Sequence, residues 1–204
     1  MRAAAVRRND GRERQGRIAM KRLLIVVDFQ KDFVDGALGF PGAEKLEGPI
    51  AEKIASYRDA GDDVAFTFDT HHRDYLKTQE GRNLPVEHCI DGTPGHDLFG
   101  KVALMMRDSD GMFKKSSFGS AELFERLRAS QRTADSVRSQ PFTSIELVGL
   151  VSNICVISNA VLVKAACPEV PVIVDAACTA SSDPKLHEAA LDVLEGLQVQ
   201  VINR

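Results

Sequence analysis

No stretch of the chain stays apolar for the roughly 18 to 20 residues that a membrane span needs. None of the four cysteines (Cys89, Cys155, Cys167 and Cys178) belongs to a CxxC pair, and their spacing gives no disulfide framework. A stapled secreted scaffold is therefore excluded, and reduced thiols in an intracellular, cytoplasmic protein are expected. No basic stripe with interleaved aromatics is present and the net charge is only −3, so neither nucleic acid nor another polyanion is an expected partner. Internal repeats are missing too, and with them solenoid architectures.

What is present is an ordinary balance for one domain with a sizeable core: 204 residues, 44% hydrophobic and 27% charged. The first 19 residues stand apart, with six arginines against one aspartate and one glutamate. They contain no apolar segment of the kind a secretory signal requires, and Asp10 and Glu13 count against an arginine-rich targeting segment. They read as a disordered leader or an upstream-start extension, with the single domain spanning residues 20–204.

From Leu23 onward strand and helix signals alternate. Leu23 to Val27 is a continuous β-rich run, the pattern of a parallel strand covered on both faces, and it ends at Asp28. A loop rich in glycine and proline (Gly36, Gly39, Pro41, Gly42) leads to a helix from about Pro49 to Ala60. A second strand, Val64 to Phe68, ends at Asp69-Thr70-His71, and a long polar loop runs from His72 to about His96. Val102 to Met106 and Met112 to Phe113 read as a short helix or a strand pair. A helix is predicted from Ser120 to Ala129, a surface connection from Ser130 to Thr143, and a buried strand over Ile145 to Val148. Further strands fall at Val170 to Val174 and Val199 to Ile202, separated by a helix that Ser182-Asp183-Pro184 caps. This alternation predicts a three-layer α/β/α fold around a mainly parallel sheet.

In such sheets ligands bind beyond the carboxyl ends of the strands, which is where the chemically reactive residues cluster. Cys155 follows a strand and a glycine turn and opens a long apolar segment. In the first turn of a helix its thiol pKa would be lowered by unpaired N–H groups and the macrodipole. Taken alone, Cys155 could equally be a small buried apolar side chain. Asp28 could cap a loop, or, in a desolvated cleft, serve as the base a thiol needs. Asp69 and His71, two apart on an extended strand, project from one face and can converge on a cation. His88 can add a third ligand and Glu80 a fourth, a mixed oxygen and nitrogen set suited to zinc, iron or manganese. Lys114 and Lys115 precede a small-residue turn; either could stabilise a thiolate, and spacing does not select between them. His96 and His187 read as surface or structural residues.

Five motifs in order carry a resemblance. They are Asp28 to Phe33 continuing to Leu38, Asp69-Thr70-His71, Leu84 to Cys89, Lys115 to Ser120, and Gly149 to Val156. Together they resemble the isochorismatase-like cysteine hydrolases, and within them the nicotinamidases (pyrazinamidases), over roughly residues 22 to 203. The resemblance implies a catalytic triad of Asp28, Lys115 and Cys155, and metal ligands Asp69, His71 and His88 with Glu80 as a further carboxylate. It also implies a cis peptide at Leu150-Val151 that turns the Val151 N–H beside that of Cys155 as an oxyanion hole, and Phe33 against the substrate ring. The implied cofactor is a divalent metal, zinc first with iron or manganese open. The implied partner is a small amide, nicotinamide foremost; homo-oligomer formation stays open. Two departures matter: Ser152-Asn153 replaces a frequent Thr-Asp, and Leu84 sits where many nicotinamidases place a tryptophan. Another small amide or ureido substrate, or a non-catalytic metal-binding role, are the competing readings. Isochorismate ether hydrolysis is disfavoured, because those relatives lack the cysteine and the metal set.

Overall fold

A computed structural model describes residues 21–132 and 142–204. Six strands form one sheet: β1 (Lys21–Val27), β2 (Asp63–Asp69), β3 (Gly111–Lys115), β4 (Phe142–Leu150), β5 (Val172–Ala180) and β6 (Gln200–Ile202). Their order is β3-β2-β1-β4-β5-β6 and every pairing is parallel. The helices are α1 (Lys31–Val34), α2 (Glu47–Asp59), α3 (Gln79–Asn83), α4 (Gly100–Met105), α5 (Ala121–Arg132), α6 (Ile157–Ala166) and α7 (Pro184–Gly196). The architecture is the expected three-layer α/β/α fold.

The period-two geometry of strands builds the layers. In β1, Leu23, Ile25 and Val27 face a core shared with Leu123 and Leu127 of α5, Val163 of α6 and Leu191 of α7. Leu24 and Val26 face the opposite core, with Phe33 of α1, Ile50 and Ile54 of α2, and Val102 of α4. That two-sided burial is why the run is apolar without alternation. Helix α2 buries Ile50, Ile54 and Tyr57, the i, i+4, i+7 stripe of an amphipathic helix. Helix α7 starts as its sequence dictates: the Asp183 carboxylate accepts from the N–H groups of Lys185 (2.8 Å) and Leu186 (3.3 Å), with Pro184 at the first helical position.

Several boundaries differ from expectation. Ser130 belongs to α5, where its hydroxyl donates to the Leu127 carbonyl at 2.6 Å, and β4 already begins at Phe142. The predicted connection is thus shorter at both ends; residues 133–141 between them, like the arginine-rich leader, lie outside the described residues. The ambiguous pair resolves into α4 followed by β3. The polar loop after β2 is not irregular throughout: it carries a 3₁₀ turn, Tyr75–Lys77, and α3, whose Thr78 side chain accepts from the Gly81 N–H. Elements this short carry too little periodicity to read.

Candidate active site

Strand register brings the reactive residues together. Phe113, Thr67, Val27, Gly149 and Thr179 lie level across β3, β2, β1, β4 and β5. Asp28 is one residue past that row on β1, while Asp69 and Lys115 are two past it and directly paired. Alternation then separates the lysines. Lys115 shares the inward face with Phe113 and is buried, whereas Lys114 turns out to solvent and pairs with Asp91 at 2.8 Å. Gly149 is required at this level: with φ of 108°, a Cβ there would stand 2.0 Å from the Val27 carbonyl oxygen. Beyond it the Leu150-Val151 peptide is cis, as the resemblance implies.

Asp28, Lys115 and Cys155 form one buried contact group. The Lys115 Nζ lies 2.7 Å from Asp28 Oδ2 and 3.6 Å from Cys155 Sγ, and also donates to the Ser117 carbonyl at 2.9 Å. Asp28 sits in the left-handed region, φ 44°, which short polar side chains tolerate. Its Oδ1 accepts from the Thr67 hydroxyl at 2.6 Å. Burial pushes the Asp28 carboxyl above its ordinary range, opposed without being cancelled by Lys115 and Thr67. Burial works against the charge on Lys115, but Asp28, Cys155 and Asp69 outweigh it and hold the ammonium firmly protonated.

The cysteine corrects one expectation. Cys155 lies not in the first turn of an α-helix but in a π-helical turn, Ser152–Val156, that precedes α6. Its thiol is raised well above the ordinary value, by burial first and then by the Asp28 charge, with Lys115 opposing. The helix-end effect is overridden because a buried sulfur facing a carboxylate gains nothing by ionising until that carboxylate takes its proton. The neutral thiol is therefore the favoured form, with Sγ 3.6 Å from the Lys115 ammonium.

Asp69, His71 and His88 are all buried, and their ligand atoms lie within 4.8 Å of one another. His71 Nε2 and His88 Nε2 stand 3.1 and 3.3 Å from Asp69 Oδ2, and Glu80 Oε1 is 3.7 and 4.0 Å from the same two nitrogens. The donor chemistry fits a divalent metal. His88 Nδ1 is engaged by the Val86 carbonyl at 2.7 Å, so Nε2 is the ring nitrogen turned to the cluster, the usual orientation of a ligating histidine. Burial raises the Asp69 carboxyl, but bonds from His71 and His88, then Lys115, reverse this and hold it far below the usual carboxylate range. Phe33 is buried with its ring edge-on to His88, centroids 5.6 Å apart.

Other contributors carry no motif of their own. Gln30, fully buried, donates to the Asp69 and His96 carbonyls at 2.9 and 2.8 Å and accepts from the Asp69 N–H at 2.8 Å, fixing the backbone at Asp69. Tyr75 packs against both histidine rings, centroids 4.6 and 5.0 Å away. His96 is structural, 2.8 Å from the Thr70 hydroxyl, and His187 approaches the Ser152 hydroxyl at 3.0 Å. A Gln two residues after a strand-end Asp is the only sequence signal among these. Leu84 is half-exposed and takes part through its carbonyl, which accepts from the Tyr75 hydroxyl at 2.9 Å.

An all-parallel sheet between two helical layers thus presents a thiol, a carboxylate and an ammonium together at its carboxyl rim. The isochorismatase domain matches residues 22–204, and the chain belongs to that family of hydrolases. Among solved structures it is similar to the nicotinamidase/pyrazinamidase of Bacillus subtilis, at 28% identity and a TM-score of 0.74 over 89% of this chain and 99% of that one. The pyrazinamidase/nicotinamidase of Streptococcus mutans UA159 gives 25% identity and a TM-score of 0.75 over 89% and 100%. The pyrazinamidase of Pyrococcus horikoshii, solved in complex with zinc, shares the fold at 21% identity and a TM-score of 0.74 over 90% and 99%. No curated protein matches the chain.

Proposed function

We propose that this chain is a metal-dependent cysteine amidohydrolase that converts nicotinamide and water to nicotinate and ammonia through a thioester. The observation that carries this reading is the contact of Lys115 Nζ with both Asp28 and Cys155, buried together at the strand ends. A thiol, a carboxylate of raised pKa and a fixed cation are the parts that acyl transfer by cysteine needs.

Asp28 takes the Cys155 proton as the sulfur attacks the carboxamide carbon, and Lys115 holds the resulting charges together. The N–H groups of Val151 and Cys155 receive the oxyanion; in other enzymes the loss of one such donor costs about 10²- to 10³-fold in rate. The protonated Asp28 gives its proton to the departing nitrogen, releasing ammonia and leaving the acyl group on sulfur. Asp28 then takes a proton from water, the hydroxide oxygen adds to the thioester, and the sulfur leaves as nicotinate forms, regaining its proton. Asp69, His71 and His88, with Glu80 beside them, are the residues that would hold the divalent metal, zinc foremost. When bound, it supplies a Lewis-acidic anchor for the ring nitrogen and ordered water. Phe33 supplies the apolar wall of the ring site. Free, buried thiols throughout support a reducing, cytoplasmic setting.

Cys155→Ala is expected to abolish ammonia release from nicotinamide while leaving the melting transition in place. Full residual activity in that variant would remove Cys155 as the nucleophile. A second reading, another small amide or ureido substrate, is favoured by one observation: the chain contains no tryptophan, and Leu84 is partly open to solvent. A panel of small amides assayed by ammonia release separates the two.

A further inference from the structure

We infer that Asn159 is a positioning residue, tying the loop that follows Lys115 to the turn that carries Cys155. Asn159 lies in α6, four residues after Cys155, and is completely buried. Its Nδ2 donates to the Cys155 carbonyl at 2.8 Å and to the Phe118 carbonyl at 3.2 Å, and its Oδ1 accepts from the Ser120 N–H at 3.0 Å. Two carbonyls on one side and one N–H on the other fix which way the carboxamide points. The other buried residues of α6 are Ala160, Val163 and Ala166, so a polar residue of poor helix propensity is not explained by packing alone.

The segment 116–120 is held at both ends. Near its start the Lys115 ammonium donates to the Ser117 carbonyl; at its end Asn159 takes Phe118 and Ser120, and the Ser120 hydroxyl accepts from the Leu123 N–H at 3.1 Å to cap α5. In between, the loop lies so close to α6 that a Cβ at Gly119 would stand 2.7 Å from Leu162 Cδ1. Asn159 is thus the polar link between the element presenting the cation and the element presenting the sulfur. Without it the Ser117 carbonyl loses its fixed place, and Lys115 loses one of the acceptors that aim Nζ at the sulfur.

The inference rests on reading Lys115 and Cys155 as a working pair, and its test needs no substrate. The probe is iodoacetamide, with alkylation of Cys155 followed by peptide mass spectrometry across pH. The charged groups facing the sulfur are Asp28 from β1, Lys115 from β3 and Asp69 from β2, so the pH midpoint of alkylation reports their placement. Asn159→Leu removes all three bonds. Asn159→Ser keeps a hydroxyl able to return to the carbonyl four residues back, yet too short for the loop, and so preserves α6. Both variants are expected to alkylate about tenfold or more slowly, the scale of a small misplacement of reacting groups, with the midpoint moved to higher pH. Zinc-binding stoichiometry, which depends on the other side of the site, should be unchanged. A cooperatively melting, zinc-binding variant that alkylates at the parental rate and midpoint would overturn the role. Failure to release ammonia from nicotinamide in the parent would instead count against the substrate, leaving this result standing.

Discussion

Each reactive side chain at the rim is set by one or two neighbours that have no chemistry of their own. Thr67 is the clearest, because its hydroxyl bond favours the ionised form of Asp28 while burial disfavours it. As the proposed base, Asp28 must be a carboxylate, and its folded pKa is raised. Activity is therefore present above that pKa and lost as pH falls through it, so the acid limb of kcat/KM should lie above the ordinary aspartate value of about 4. Thr67→Val removes a bond that opposes the shift and should carry the limb further up, while Thr67→Ser should return it; a pH profile of all three proteins is the check. Asp28, Asp69 and Cys155 were legible in the sequence because strand ends of a parallel sheet are where ligands bind. Thr67, Gln30 and Asn159 were not, since each acts through contacts 39 to 66 residues away along the chain or through helix geometry that spacing does not encode. Spacing left the lysine as a pair and only the resemblance singled out Lys115; edge-strand alternation buries Lys115 beside Asp28 and leaves Lys114 in solvent.

At the scale of elements, the β4 terminus and the π-helical turn act as one part. Gly149 lets β4 lie against β1 at the level of the site, and the chain then passes through the cis peptide into Ser152–Val156. Gly149→Ala would force a Cβ onto the Val27 carbonyl in a left-handed backbone and should cost at least about 2 kcal/mol, read as a lower urea midpoint with an unchanged slope. The long elements followed from the sequence, because two-sided apolar runs and capped amphipathic stripes are strong signals: β1, α2 and α7 lie within a few residues of expectation. The π-helical turn and the short helices α1 and α3 did not. They are held by tertiary bonds, such as that from the Cys89 N–H to Asp32 Oδ2 at 2.7 Å, rather than by local propensity.

For the whole molecule, the two rims of the sheet differ in kind. A cavity of about 550 Å³ opens at the amino ends of β1 to β4, lined by Lys21, Arg58, Asp62 and Phe113 among others, and contains none of the proposed catalytic or metal-binding residues. The carboxyl rim holds the dense cluster of buried charge instead. No helix among the described residues is long and apolar enough to cross a membrane. Dialysis against a chelator should raise KM more than it lowers kcat, with zinc, manganese or iron then added back to find which restores it. Iodoacetamide labelling of Cys155 should survive the dialysis, because the sulfur and its base sit outside the histidine cluster. The boundary between those halves is a single carboxylate. Asp69 turns Oδ2 to His71 and His88 and Oδ1 to Lys115 at 3.1 Å, so the proposed ligand cluster and the cation beside the proposed nucleophile share one counter-charge. The two halves are accordingly not separable modules: in a double-mutant cycle, the losses from His71→Ala and Lys115→Ala should fail to add, and an engineer who exchanges one half inherits a changed version of the other.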